Sequence, residues 1–471
     1  MKHSLRLMML LIVALFSAAA TSVPKPNMIL VFIDDMGWAD LSSYGNPYVR
    51  TNNIDSMADE GIRFERFYVN SPICSPSRVA ITTGQYPQRW SITSYLANRN
   101  SNKKRGMRNW LDLTAPTIAK LLRSQGYATG HFGKWHMGGQ RDVGDAPLIT
   151  EYGFDESITN FEGLGPRILP LLNAFDGTEP KKHALGSEKL GRGPIFWQTR
   201  SSVTANFTDA AIEFIKQAKE VGKPFYVNLW PDDVHGPYFP PAQRRGSNKL
   251  EKYYGVLKTM DEQLNKLFDY VRSDKTLRNN TLIMISSDNG PAKGAGSAGQ
   301  FRGLKTMLYE GGIRAPLIVW GPGLVDVDAV GTADRSTLLA AFDLVPSLLS
   351  LASMPADTIA SQNFAGRIKL DALLGKAPAQ REGAIYFRRP PDRDSFYGVK
   401  DLPDLALINE QWKLLCEYDG SNPELYDLAN DPGENNNLAP KHEKVVAALR
   451  KELLAWHNTM PPDNGATYQS P

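Results

Sequence analysis

The run Met28-Ile-Leu-Val-Phe-Ile33 stops without transition at Asp34-Asp35. Six consecutive apolar side chains leave no polar face, so a strand made from them is covered on both sides. The pattern recurs. Ala128–Phe132, Phe225–Leu229, Thr281–Ser286 and Leu317–Trp320 read as strands. Helical patterns lie between them at Thr117–Ser124, Thr208–Lys219, Leu250–Leu267 and Leu338–Leu351, the last apart from Pro346. Pro116 suits the first turn of the helix it precedes. Apolar strands alternating with helices predict an α/β fold: a large mixed, mostly parallel sheet sandwiched by helices. In such sheets, sites form beyond the carboxyl ends of the strands. Polar residues follow several of these strands directly: Asp34-Asp35 after the first and Asp288-Asn289 after Thr281–Ser286.

The texture changes near Gly383. Ala384–Phe387, Leu405–Ile408 and Trp412–Glu417 are short strand patterns with tight turns, and Val445–Trp456 is an amphipathic helix. This predicts a small C-terminal antiparallel sheet with one helix, an α+β subdomain over 381–471. The large α/β domain occupies 21–380. Residues 160–200 are rich in Gly and Pro and lack a period, which suggests a long excursion with a functional use. Residues 1–20 read as a signal peptide: Lys2, His3 and Arg6, then the apolar run Leu7–Phe16, then Ser17-Ala-Ala-Ala20. Ten apolar residues are too few to span a bilayer core of about 30 Å. The expected location is therefore the periplasm or beyond, with no stable membrane insertion. The formal net charge is +3, and Lys2 and Arg6 supply two of those charges. A nearly neutral mature chain argues against nucleic acid as a partner. Two cysteines cannot form a disulfide framework.

Cys74-Ser-Pro-Ser-Arg78 is the sharpest local feature, with Val79-Ala-Ile-Thr-Thr-Gly84 after it. It resembles the C-x-P-S-R signature of type I sulfatases, members of the alkaline-phosphatase-like superfamily. Gly126-Tyr-Ala-Thr-Gly-His-Phe-Gly-Lys-Trp-His136 is similar to that family's second signature. Further resemblances follow in order: Trp230-Pro-Asp-Asp-Val-His-Gly-Pro237, Arg302-Gly-Leu-Lys305, Tyr309-Glu-Gly-Gly-Ile-Arg-Ala-Pro316, and Glu424 to Leu438. Collinear matches over about residues 26–440 outweigh any single one. Two positions depart from the family pattern, Thr82 and Gln85, and neither is a proposed catalytic position.

The resemblance implies a sulfuric ester hydrolase. Cys74 would be oxidised to formylglycine by a dedicated maturation enzyme, which is then a partner. One hydroxyl of the aldehyde hydrate can attack sulfur, and the other can collapse to expel sulfate from the covalent sulfo-enzyme. Arg78 would hold the formylglycine end of the site. Lys134 would bind sulfate, His136 would assist the eliminating hydroxyl, His235 would contact sulfate or the leaving oxygen, and Lys305 would meet developing charge. Arg314 reads as structural. A Lys and a His two apart on an extended segment face the same side. Asp34, Asp35, Asp288 and Asn289 are hard oxygen donors suited to Ca²⁺ or Mg²⁺, although an Asp pair after a strand also serves as a plain polar turn. Together with Cys74 they resemble the family's metal site, which holds one ion, usually Ca²⁺, with Mg²⁺ as the alternative.

Export and the resemblance favour a sulfated polysaccharide or oligosaccharide as substrate. Arg388 and Arg389 could pair with a uronate or a further sulfate, or lie on the exposed surface. Asp232 and Asp233 serve either substrate recognition or the fold of their loop. Two rival readings remain. One is a phosphodiesterase or phosphonate monoester hydrolase of the same superfamily. Many phosphatases there use two zinc ions with extra His ligands, whereas only His131, His136 and His235 lie in strand-end motifs of this chain. The other is a non-catalytic binder of sulfated glycans, which would be expected to have lost some of the six catalytic candidates.

Overall fold

A computed structural model of the chain describes residues 24–172, 178–392 and 401–465. The leader expected at 1–20 lies outside the described residues. The main sheet contains β1 (Asn27–Ile33), β2 (Ile62–Tyr68), β3 (Ala128–Gly133), β4 (Glu156–Thr159), β5 (Arg167–Leu172), β6 (Lys181–Lys182), β7 (Ile195–Thr199), β8 (Phe225–Trp230), β9 (Thr281–Ser287), β10 (Arg314–Trp320), β11 (Thr332–Asp334) and β12 (Leu339–Ala340). Its order is β11-β2-β10-β9-β1-β8-β3-β4-β5-β6, with β12 beside β2 and β7 beside β5. From β9 to β5 every neighbour is parallel, whereas β10 runs antiparallel to both β9 and β2. This is the mixed, mostly parallel sheet expected.

The central strand explains the layering. Alternate side chains of a strand point to opposite faces. Met28, Leu30 and Phe32 enter one core, with Leu122, Val79 and Leu348. Ile29, Val31 and Ile33 enter the other, with Phe207, Leu264 and Met57. Helices Cys74–Thr83, Ile118–Ser124 and Leu344–Leu351 cover the first face. Helices Asn52–Asp59, Val203–Glu220 and Lys249–Ser273 cover the second. A second sheet of four antiparallel strands follows: β13 (Ile385–Arg388), β14 (Leu405–Ile408), β15 (Trp412–Cys416) and β16 (Glu424–Asp427). Helix Glu443–Thr459 packs on it through Val446, Leu449 and Leu453.

Several expectations need correction. The helix expected over Leu338–Leu351 begins only at Leu344, because Leu339-Ala340 joins the sheet beside β2. The excursion at 160–200, where no strand was assigned, carries β5, β6 and β7, which extend the main sheet. Pro170 sits within β5 and disguises it. Among the described residues, no helix is long and apolar enough to cross a membrane.

Candidate active site

Strands β9, β1, β8 and β3 are consecutive and parallel, so their carboxyl ends lie side by side. Asp288 N donates to Ile33 O at 3.0 Å, Asp34 N to Pro231 O at 3.1 Å, and Lys134 N to Trp230 O at 2.9 Å. The sheet ladder thus continues into the loops and fixes four polar segments at one edge. Gly133 makes this continuation sterically feasible. Its φ is +122°, and a Cβ there would lie 2.1 Å from Trp230 O.

The segments meet in a buried charge cluster. Lys134 Nζ is 2.6 Å from Asp34 Oδ2, and Lys305 Nζ contacts Asp35 Oδ1. Arg78 is fully buried; its Nη2 donates to Asp288 Oδ2 at 2.7 Å and its Nη1 to Lys134 O at 3.0 Å. Asn289 Nδ2 donates to Asp35 Oδ1 at 2.8 Å, and Asp35 N to Asp288 Oδ1 at 3.1 Å. Burial, followed by the charge of Asp34, pushes the Asp288 carboxyl up to about 7. Burial acts on Asp34 too, but Lys134, His235, Arg78 and Lys305 outweigh it and hold Asp34 well below the usual carboxylate range. Among the described residues, Asp34 Oδ1 and Asn289 Oδ1 are buried without a hydrogen-bond partner. Ligand atoms of Asp34, Cys74 and Asp288 lie within 4.8 Å of one another. Crowded carboxylate and amide oxygens with unpartnered acceptors fit a hard divalent cation.

Cys74 opens helix Cys74–Thr83, whose first N–H groups have no partner within the helix. Gly84 ends the helix in the left-handed conformation, φ +66°, as the Gly in this motif suggests. Both Cys74 and Cys416 are free thiols, so the pair is unbridged. Burial, reinforced by Asp34 and Asp288, raises the Cys74 pKa against the pull of Lys134 and Lys305. The thiol is therefore neutral at pH 7 and a poor nucleophile as it stands.

Two histidines face the same space with defined tautomers. The Nε2–H of His136 donates to Leu96 O at 2.9 Å, and Nδ1 is buried and has no partner among the described residues. Burial, then Lys134, keeps the His136 pKa well below its ordinary value, so the ring is a neutral base. The Nδ1–H of His235 donates to Gly236 O at 2.8 Å, and its Nε2 lies 3.8 Å from Asp35 Oδ2. The extended geometry expected for Lys134–His136 is not what forms. His136 has φ +53°, and a left-handed turn delivers it to the pocket instead. His131 is enclosed by Trp135, Phe154 and Trp230, and burial drives its pKa down to about 3.

These groups line a cavity of about 300 Å³ that includes Cys74, Lys134, His136, His235 and Lys305. Arg78 lies beneath it. Four candidates for substrate contact are placed elsewhere. Asp232 is ion-paired with Arg200 at 2.9 Å and accepts from Asn160 Nδ2 at 2.7 Å. Asp233 accepts the Thr204 hydroxyl. Arg388 donates to Pro461 O at 2.9 Å and lies 3.6 Å from Asp463, and Arg389 pairs with Asp404. All four are buried and internally paired, so their charges brace loops and do not reach the cavity. The cavity wall instead includes Tyr95, Arg141, Phe161, Glu162 and His183, which no motif marked. Phe161, Glu162 and His183 fall within the long excursion, their one sequence signal, and Tyr95 and Arg141 had none.

The chain is similar to curated and solved proteins along nearly its whole length. It is 31% identical to N-acetylgalactosamine-6-sulfatase of Sus scrofa, covering 95% of this chain and 88% of that one. It is 29% identical to N-acetylgalactosamine-6-O-sulfatase of Bacteroides thetaiotaomicron, covering 91% and 92%. It is 30% identical to arylsulfatase A of Homo sapiens, covering 94% and 90%. The crystal structure of Ps i-CgsB in complex with k-i-k-neocarrahexaose superposes with a TM-score of 0.74 at 25% identity, covering 92% of each chain. A family model described as N-sulphoglucosamine sulphohydrolase, C-terminal, matches residues 297–459. The family model described as sulfatase matches residues 26–354, well over half the chain, and with the strand-end site it shows that this protein, a sulfuric ester hydrolase, belongs to the sulfatase family.

Proposed function

We propose that this sulfatase removes sulfate from a sulfated oligosaccharide or polysaccharide, using formylglycine made from Cys74. The observation that carries the mechanism is the convergence of Cys74, Lys134, His136, His235 and Lys305 on one cavity above an acidic oxygen cluster. The sulfated-sugar reading draws support from the names of the relatives and from the bound neocarrahexaose.

Asp34, Asp35, Asp288 and Asn289 would hold one Ca²⁺, with residue 74 reaching the same ion. When bound, the ion neutralises sulfate oxygens and acidifies a nearby hydroxyl. The Lys134 and Lys305 ammoniums clamp the sulfate from two sides. Burial disfavours both charges, but Asp34 and Asp35 hold both pKa values above the ordinary lysine range. His136 Nδ1 accepts the proton of the second hydroxyl at residue 74 as sulfate leaves. His235, its Nδ1–H fixed on Gly236 O and its pKa lowered by burial, holds Nε2 unprotonated, where it can accept the proton of the attacking hydroxyl at residue 74 and pass it to the leaving oxygen. Arg78 holds Asp288 and the Lys134 carbonyl in place. The leader at 1–20 would export the chain, and N-terminal sequencing of secreted material would locate its new first residue.

The deciding measurement is the mass of the tryptic peptide Phe67–Arg78 from protein made with the maturation enzyme present. An aldehyde in place of the thiol supports the mechanism, and an unmodified thiol overturns it. Release of sulfate from N-acetylgalactosamine 6-sulfate, without release of phosphonate from a phosphonate monoester, supports the substrate class. The converse favours the phosphonate hydrolase reading.

A further inference from the structure

The cavity has a catalytic floor and a side wall, and the wall carries its own chemistry. Glu162 lies on the wall, its side chain only 4% exposed. Its Oε2 accepts no hydrogen bond from the described residues. The nearest cation, Arg141 Nη2, is 3.6 Å from Oε1, beyond hydrogen-bond distance. His136 Nε2 is 3.5 Å from Oε2, but its proton is committed to Leu96 O. Among the described residues, Arg141 Nη1 is also buried and unpartnered. A buried carboxylate and a guanidinium with spare hydrogen-bonding capacity are costly unless a ligand supplies the partners.

The backbone holds this wall rigidly. Glu162 N donates to Asn160 Oδ1 at 2.8 Å, and Glu162 O accepts from His136 N at 2.7 Å. Asn160 is tied in turn to Asp232, and Asp232 to Arg200. Tyr95, Phe161 and Leu185 line the same cavity and offer apolar surface. An acceptor and a donor side by side, with carbon-rich surface in the same cavity, match the vicinal oxygens and C–H faces of a sugar ring.

We propose that Arg141 and Glu162 are the specificity-determining pair: Glu162 Oε2 accepts a ring hydroxyl, Arg141 Nη1 donates to the neighbouring ring oxygen, and the Glu162 carboxylate rejects a ring bearing a second anionic group there. This rests on the saccharide reading above. It extends that reading by naming the substrate class: a sugar ring whose only charge is the sulfate to be removed. The volume, about 300 Å³, is at the low end for ligand pockets and suits one ring with its sulfate.

The test compares kcat and KM of wild type, E162Q and R141M on N-acetylgalactosamine 6-sulfate and on 4-nitrophenyl sulfate, which has no ring hydroxyls. The expected result is a rise in KM for the sugar of about 10-fold or more in each variant, with a matching fall in the sugar-to-aryl ratio of kcat/KM. R141M carries the test if E162Q folds poorly, since Arg141 is a quarter exposed. Wild type should also cleave the monosulfated sugar faster than its disulfated counterpart, and E162Q should narrow that gap. An unchanged sugar KM, or a loss falling wholly on kcat, would mean that Glu162 acts through His136 or not at all, and overturns the pair while leaving the saccharide reading intact. Turnover of 4-nitrophenyl sulfate with no sulfated sugar cleaved by wild type removes the saccharide reading and the pair with it.

Discussion

Two buried charge clusters sit a short way apart in this chain, and they are built to opposite ends. The first is the strand-end site: Asp34, Asp35 and Asp288 against Arg78, Lys134 and Lys305. The second joins the two sheets: Glu310 and Glu434 against Lys413 and Arg314. Opposite charges are equal in number in both, so charge count does not separate them. Satisfaction does. Lys413 Nζ lies 3.0 Å from Glu310 and 2.8 Å from Glu434. Glu310 Oε2 also accepts from Tyr68 and Arg314, and Glu434 Oε2 accepts from Glu310 N. Among the described residues, the strand-end cluster leaves Asp34 Oδ1 and Asn289 Oδ1 without a hydrogen bond and adjoins the cavity, whereas the acceptor without a hydrogen bond in the second cluster, Glu434 Oε1, has the Lys413 ammonium 2.8 Å away. A cluster that closes its bonds internally works as a brace; one that leaves acceptors over is waiting for a ligand.

Breaking each cluster should therefore read out differently. The largest effect belongs to the open one. C74A removes the side chain proposed above as the source of the nucleophile and should cut sulfate release by about 10,000-fold or more, roughly 5 kcal/mol in the barrier. Its unfolding midpoint in urea should stay close to wild type. A C74A protein with substantial residual turnover would place the nucleophile elsewhere. The closed cluster gives the mirror image. K413M takes the shared ammonium from two buried carboxylates, leaving Glu310 with Arg314 alone, and should cost about 3–5 kcal/mol of unfolding stability. The folded fraction should retain kcat within a few-fold, and urea unfolding with parallel activity assays separates the two effects.

Metal removal sharpens the same contrast at a smaller magnitude. The Ca²⁺ proposed above, at about a hundredfold its dissociation constant, would add roughly 3 kcal/mol to the folded state. Chelation should abolish activity and lower the melting temperature, and added Ca²⁺ should restore both. K413M should show the same calcium-dependent increment as wild type, because its defect lies in the other cluster. D288N should lose most of the increment, since it removes a carboxylate donor from the open one.

The open cluster was legible in the sequence for a structural reason. Asp34-Asp35, Lys134 and Asp288-Asn289 each follow directly from a strand, so one local pattern announced both the strand and the chemistry after it, whereas Arg78, His235 and Lys305 were marked by the family's motifs. The closed cluster carried no such signal, because Glu310, Lys413 and Glu434 are brought together by tertiary packing alone. The same distinction explains the misplaced residues. Asp232, Asp233, Arg388 and Arg389 are charged and lie near motifs, yet Arg200, Thr204, Asp463 and Asp404 neutralise or hold them, and those partners are not adjacent in the chain. Strand β2 was missed because Arg63, Glu65 and Arg66 interrupt its apolar pattern, although Ile62, Phe64, Phe67 and Tyr68 are buried. Arg141 and Glu162 matched no motif, and only the cavity identifies them.

The smallest effect is a pH dependence of the closed cluster. Burial, followed by repulsion from Glu310, pushes the Glu434 carboxyl up from 4.5 to about 7, with Lys413 opposing. The folded state then binds a proton that the unfolded chain has already released. Between pH 4.5 and 7 the folded state holds more protons, so stability falls as pH rises through that window. The loss attributable to this group is no more than about 3 kcal/mol, because each pH unit crossed in that window is worth about 1.4 kcal/mol. Glu310 behaves in the opposite sense: burial raises its pKa, but Lys413 and Arg314 outweigh burial and lower it, so its contribution is lost only as pH drops below the ordinary glutamate range. E434Q keeps an acceptor for Glu310 N and removes the titration. Urea unfolding of wild type and E434Q at half-unit steps from about pH 4.5 to 7.5 should give profiles that diverge with rising pH, the wild type losing the more. Parallel profiles would mean that Lys413 holds Glu434 ionised throughout, making the closed cluster a fixed salt bridge with no proton stored in it.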